Sequence, residues 1–350
     1  MLAYIVRRLA LLPAMWLAVT LMIFLMLEPL GPYQKLSLFL DSNPEMAVPA
    51  NKLSEEQLQR VFDKHGLNDP FYVQYGKWLG EVVNLNFGWS RTAQAPVLDA
   101  LIARLPATME LTLLSIGPLI FFAIWMGVKS AVYQNRWFDH ITRFIAITGF
   151  SLPSFVFAIF VLVIFYGWLD LFPPGRLSLW ANQVVFSDSF TRFTGMNLVD
   201  TLLNGRFDIF VDAIRHLVLP VISLSYLSWA ALLRVTRSSM LETLGQDYIT
   251  TARAKGLAEN SVIHKHARRN ALIPVLTLSG FVIVGLLTGV FIIETIFNYR
   301  GVGFWAVDAA LSFDVPAVIG ITIFTATLIV LANLIVDIFY TVVDPRVRYD

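Results

Sequence analysis

The chain has 350 residues, 57% of them hydrophobic and 15% charged, against ~25% charged in ordinary soluble domains, so composition first excludes a water-soluble globule. A net charge of +1 gives no basic field for nucleic acid, and the lack of cysteine removes disulfides, thiolate metal sites and a cysteine nucleophile. Nine Trp and eleven Tyr suit the two faces of a bilayer, where an amphipathic ring sits at headgroup level.

Six stretches approach the ~20 mostly apolar residues that a membrane span requires. In chain order they are Leu9–Leu27, Thr108–Ala131, Ile141–Trp168, Ala213–Leu233, Ala271–Phe297 and Val315–Val343. The first follows Arg7 and Arg8 like a signal peptide, but its apolar run is too long and no small-residue cleavage site follows, which predicts an uncleaved anchor. Gly117, Pro118, Pro153, Pro220, Gly285 and Gly289 lie inside these runs. Such residues would be faults in soluble helices, whereas in a membrane bundle they permit close packing and kinks. Lys and Arg are denser in the segments that an inside N-terminus places in the cytoplasm, so both termini are expected there.

Two segments between spans are large. Residues 31–104 contain LSEEQLQRVFDKHGL, in which Leu53, Leu58, Val61 and Phe62 recur at helical spacing and Ser54 with Gln57 can form a capping box. Residues 172–212 open on Pro173, Pro174 and Gly175 and read as an irregular cap over the outer mouth. The anchor is thus assigned to 1–30, an extracytoplasmic segment to 31–104, and the transmembrane core to 105–350.

Within that core, residues 234–270 contain no span and are rich in charge. The pattern predicts a helix, a break near Gly245, a second helix stopping at Gly256, where positive φ is needed, and a restart capped by Asn260 or Ser261. Pro274 then marks the entrance to the fifth span. A short helix held across the membrane plane between basic arms has two physical uses: docking in a groove of another protein, or lying on anionic lipid. The residues alone leave both open.

Seven stretches in order carry a resemblance. They are RRLALLP at the start, NLNFGWS at 84–90, RLPATMELTLLS at 104–115, FSLPSFVFAIF at 150–160, HLVLPVISLSYLSWAALLRVTRSSMLETLGQDYITTARAKGL with VIHKHARRNALIPVL after it, ETIFNYRGVG at 294–303 and DPRVR at 344–348. Together they resemble the membrane subunit of an ABC importer of the dipeptide/oligopeptide/nickel permease family, specifically its B-type subunit, over essentially the whole chain. The resemblance implies an all-α integral membrane protein of six transmembrane helices with the type I ABC importer permease fold, in a bacterial or archaeal cytoplasmic (inner) membrane. It implies a heterodimer with a C-type permease subunit, two cytoplasmic ABC ATPases that hold ATP and magnesium, and an extracytoplasmic substrate-binding protein.

On the same resemblance, Ala252, Arg253, Ala254, Lys255, Gly256, Leu257, Ala258, Glu259, Asn260, Val262 and His266 form the coupling region that seats on the ATPase. No cofactor is bound by this chain and no enzymatic role is expected of it. The cargo implied is a di- or oligopeptide, with oligosaccharide or nickel as alternatives within the family. Three positions depart from the family pattern: Thr250 stands where the general permease motif has Glu, Arg268 where an apolar residue is more common, and Arg300 where Pro or another residue is usual.

Carboxylates inside spans are expensive and hence the better candidates for path or gate. Glu294 is singled out for a charged cargo terminus or, as the structural alternative, a bond to the outer loop through Arg300. Glu110 opens the second span, Glu28 ends the first, and Asp337 lies in the inner part of the sixth, where it shares a helix face with Asn333. Ser151, Pro153 and Ser154 form a polar break in the third span that suits a cavity lining. His264 and His266 stand two apart, on different helix faces, without a further ligand at metal spacing. Neither an HExxH site nor a Ser/His dyad within the spans supports a protease, and an ion-coupled carrier would need inverted repeats and a midplane ionisable cluster that the spans lack.

Overall fold

The computed structural model describes residues 2–29, 63 and 69–343. The predicted amphipathic helix at 53–67 and the DPRVR motif lie outside the described residues. Among the described residues the chain is helical apart from one short antiparallel hairpin, and it divides into two compact units, residues 1–106 with 300–331 and residues 107–299 with 332–350.

In the first unit α1 (Leu2–Leu27) meets α2 (Phe71–Val83) through an aromatic cluster. Phe24, 2% exposed, lies 5.3, 5.5 and 5.2 Å from the rings of Phe71, Tyr75 and Trp78, and Thr20 shares a 3.0 Å hydrogen bond with Tyr75. Leu11, Met15, Met22 and Met26 on other faces of α1 are exposed, as expected for a helix immersed in lipid. The hairpin β1 (Trp89–Ser90) and β2 (Ala95–Pro96) leads into α3 (Val97–Val132), and the unit is completed by α11 (Val302–Leu311) and the first part of α12 (Val315–Val343). Asp314, just before α12, accepts from the Ser90 hydroxyl at 2.7 Å and the Thr92 amide at 2.8 Å. One buried carboxylate therefore pins a hairpin that is too short to hold itself together.

The second unit is built on α3 beyond Pro106, α4 (Trp137–Ser151), α5 (Ser154–Leu162, continued as a π-helical turn Val163–Trp168), α8 (Phe207–Leu244) and α10 (Glu259–Ile296, with a π-helical turn at Val262–Ala267). Ala107, Leu111 and Leu119 of α3, Ala158 of α5, Leu217, Leu224 and Leu232 of α8, and Val275, Val290 and Ile293 of α10 share its main core. Small residues let the backbones approach: a Cβ at Gly127 of α3 would come 2.6 Å from Thr236 Cβ of α8. On α10, one at Gly280 would overlap the Val336 side chain of α12.

Among the described residues three helices are long and apolar enough to cross a membrane: Val97–Val132, Glu259–Ile296 and Val315–Val336. Two bent pairs reach the same length and apolarity when taken together, Trp137–Gly149 with Ser154–Trp168 at 110° and Phe207–Tyr226 with Ser228–Leu244 at 49°. The apolar part of α1 is shorter, Ala10–Met26. The sharper break follows from Pro153, which forces the preceding Leu152 into extended backbone (φ −88°, ψ 132°) and ends α4 there. The gentler one follows Pro220 and Ser225, whose hydroxyl bonds back to Val221 O at 2.6 Å.

The segment 172–212, read from sequence as irregular, contains α6 (Leu179–Val185) and α7 (Asn197–Leu203), and α8 begins within it at Phe207. Leu177, Ala181, Val185 and Phe190 bury against Ile209 and Ala213, a small core that scattered apolar residues in a polar loop did not advertise.

Candidate coupling site

Beyond its bend, helix α8 continues past the expected end of its apolar stretch to Leu244, and Gly245 ends it. A short helix, α9 (Asp247–Ala254), then crosses to the start of α10. Asp247 in its first turn complements the helix dipole. Its last turn closes as the sequence predicts. Gly256 holds φ +76°, its amide donates to Arg253 O at 2.9 Å, and the Leu257 amide reaches Ala252 O at 3.4 Å. This paired 5→2 and 6→1 closure satisfies carbonyls that the helix end would otherwise orphan.

The expected caps at Asn260 or Ser261 are corrected: α10 restarts earlier, at Glu259, with Ala258 as the extended residue before it. The Glu259 carboxylate accepts two bonds from Arg253, at 3.1 and 2.8 Å, so a fork-to-fork pair staples the turn and raises the Arg253 pKa above its ordinary value. Asn270 adds a strut, its amide donating to the Tyr248 hydroxyl at 2.9 Å.

Burial sorts the predicted coupling residues into two groups. Ala252 and Val262 are inside, packed with Ile249, Ala267 and Ala271 against Met240 of α8 and Val128 and Ala131 of α3. Arg253, Ala254, Lys255, Gly256, Leu257, Ala258, Glu259 and Asn260 form an uninterrupted exposed strip, and His266 is half-buried on α10. Thr250, at the departed acidic position, is exposed as well. The strip is thus an exposed protrusion whose apolar underside belongs to the helical core.

A second polar knot fixes this end. Asp139, fully buried in the first turn of α4, accepts from Arg237 Nε of α8 at 2.7 Å, the Ser130 hydroxyl of α3 at 2.6 Å and the Asn135 amide at 2.9 Å. Three helices, α3, α4 and α8, are therefore tied together by one carboxylate.

The other predicted residues lie elsewhere. Glu294 is fully buried near the far end of α10 and accepts from the Thr108 hydroxyl of α3 at 2.6 Å. Beside Thr108 on α3, Glu110 accepts from the Tyr299 hydroxyl at 2.7 Å, Arg176 Nη2 at 3.1 Å and the Leu198 amide at 2.7 Å. Burial, then the Glu110 charge, pushes the Tyr299 phenol well above its ordinary pKa, so it remains a donor. Arg176 and Leu198 come from the 172–212 segment, which Glu110 thus locks to the bundle. Ser151 and Pro153 are exposed at the break between α4 and α5, and Ser154 is half-buried there. His216 is buried, its Nδ1 donating to Asp212 O at 2.8 Å within α8. Among the described residues no group of three or more His, Asp or Glu is arranged to hold a metal ion. Sequence alone singled out Glu110 by its cost in a span; its partners, distant in the chain, carried no signal.

Long apolar helices interrupted by one stapled, charged turn define a helical integral membrane protein with an exposed polar protrusion. The chain belongs to the family described as binding-protein-dependent transport system inner membrane component, whose model matches residues 120–349. It is 36% identical over 352 residues to the dipeptide transport system permease protein DppB of Alkalihalophilus pseudofirmus, covering 100% of both chains. Over 350 residues it is 37% identical to the oligopeptide transport system permease protein AppB of Bacillus subtilis, again covering 100% of both. It is also 36% identical over 351 residues to the dipeptide transport system permease protein DppB of Escherichia coli K12, covering 100% of this chain and 99% of that one.

Proposed function

We propose that this chain is a translocation-path subunit of an ATP-driven importer of di- or oligopeptides, with six spans and both termini in the cytoplasm. Its partners in this reading are a C-type permease subunit, two ATPases that carry ATP and magnesium, and an extracytoplasmic binding protein. The strip Arg253–Asn260 meets the ATPase, while Ala252, Val262 and His266 anchor it. Ser151, Pro153 and Ser154, at the open break between α4 and α5, line the path. Glu294, closed off behind Thr108, holds the outer gate in place and does not meet cargo. The observation that carries the reading is the stapled protrusion continuous with two long helices: α8 enters it and α10 leaves it, so a push on the strip turns both. The peptide cargo rests on the transport roles named for the relatives.

The test is reconstitution. The tagged chain, purified in mild detergent with the subunits it retains, is placed in proteoliposomes with the binding protein, and uptake of dipeptides, oligopeptides, nickel and oligosaccharides is followed with and without ATP. ATP-dependent peptide uptake is expected. Uptake that ignores ATP, or a chain that purifies without an ATPase even after cross-linking, overturns the coupling assignment, and selective nickel or oligosaccharide uptake overturns the cargo.

A further inference from the structure

A cavity of about 770 Å³ opens between α3 and the first turns of α10, within the ~300–1,000 Å³ range of ligand sites. Its wall is formed by Ile116, Ile120, Ile124 and Val128 of α3 with Ile263 of α10. Along the mouth stand Phe121, Trp125 and Tyr133, each substantially exposed, the two amphipathic rings toward the end that carries α9. At that same end Lys129, His264 and Arg268 converge, and no acidic residue lines the cavity.

These basic side chains are not used up by the fold. Among the described residues Lys129, His264 and Arg268 make no ion pair, and Asp139, the nearby carboxylate, is taken by Arg237, Ser130 and the Asn135 amide. Lys129 Nζ instead sits 5.1 Å from the Trp125 ring and 4.9 Å from that of Phe138, which holds its stem along the wall and its charge at the rim. From Ile116 to Ile124 the lining carries no polar side chain, and the polar lining groups, Asn260 among them, belong to the far part of α3 and the start of α10, so a peptide along the apolar part would leave its backbone groups unpaired in a medium without water. An acyl chain has no such requirement. Gly117 deepens the space: a Cβ built there meets no atom within 4 Å.

We propose that this groove seats an acyl chain of an anionic phospholipid, whose phosphate is held by Lys129, His264 and Arg268. Apolar walls alone would accept any lipid, and Lys129 and Arg268 at one rim, with the His264 imidazole as a further hydrogen-bonding group, select the negative headgroup. The site touches both α3 and the root of the coupling protrusion, so a bound lipid joins the lever to the surrounding membrane. The inference requires only that the chain sits in a bilayer, and its test reads binding, not transport.

The protein, with its copurifying subunits, is exchanged into nanodiscs of phosphatidylcholine containing phosphatidylglycerol, returned to detergent, washed, and analysed by lipid mass spectrometry. Wild type is expected to retain phosphatidylglycerol preferentially, and Lys129→Gln with Arg268→Gln to reduce that retention at least fivefold. Lys129→Arg keeps it. Gly117→Leu, which preserves every charge but fills the groove, also loses it. Equal retention by wild type, the double variant and Gly117→Leu overturns the proposal. So does a photoreactive side chain at Ile120 that captures a protein chain or a transported peptide in place of lipid.

Discussion

Asp139 shows how a single carboxylate can be affordable in an apolar chain. It has no exposure, yet Arg237, Ser130 and a backbone amide all donate to it, so its charge is matched and its lone pairs are occupied. Removing it leaves the Arg237 guanidinium without its partner between α4 and α8. Asp139→Ala is expected to destabilise by about 3–5 kcal/mol, the usual cost of orphaning one half of a buried pair. Ser130→Ala, which removes one donor from a carboxylate with others, should cost about 1 kcal/mol. Thermal melting of both variants in detergent measures the contrast, and equal, small losses would show that the knot holds nothing together.

At the scale of elements, the coupling protrusion works only if α9 and α10 move as one. Gly256 is the joint: its φ of +76° is open to glycine, while space around it is free, so backbone strain and not crowding decides what fits. Gly256→Ala should strain the joint by roughly 1–2 kcal/mol and lower coupling partially. Gly256→Pro fixes φ near −65° and deletes the amide that bonds Arg253 O, so it should insert normally yet separate ATP hydrolysis from uptake. The ratio of substrate moved to ATP hydrolysed is the measurement; an unchanged ratio in the proline variant defeats the lever. Much of this element was legible beforehand, because glycine at 245 and 256 and charge between apolar runs are local signals. The Arg253–Glu259 staple, the π-helical turn at Val262–Ala267 and the Glu110 lock were not. Each depends on which surfaces meet after folding, and helical periodicity carries no record of that. The 172–212 cap was misread for a related reason: its two helices of 7 residues are too short to show periodicity and are held by tertiary contacts.

For the whole molecule the topology turns on α4 and α5. Helix α4 and the α5 arm with its π-helical turn are each about 22 Å long at 1.5 Å per residue, less than the ~30 Å hydrocarbon core. Joined at 110°, their ends stand only about 25 Å apart, enough for a thinned or shielded crossing and also compatible with a loop that returns to its own side. The two cases differ in parity. If the pair crosses, Gln134 before α4 and Asp188 after α5 lie on opposite faces, and Gln134 shares a face with Lys255, since α8 crosses back. If the pair returns, Gln134 and Asp188 share a face and Lys255 is opposite. The chain has no cysteine, so Gln134→Cys, Asp188→Cys and Lys255→Cys each introduce a single thiol at an exposed position. Labelling intact cells with a membrane-impermeant maleimide is expected to mark Asp188→Cys alone, with the other two reacting only after the membrane is opened. Labelling of Lys255→Cys alone in intact cells, with Gln134→Cys and Asp188→Cys both silent until the membrane is opened, would make α4 and α5 a re-entrant loop. The break at Ser151–Ser154 would then be the tip of a loop inside the membrane, and the six-span topology would be wrong.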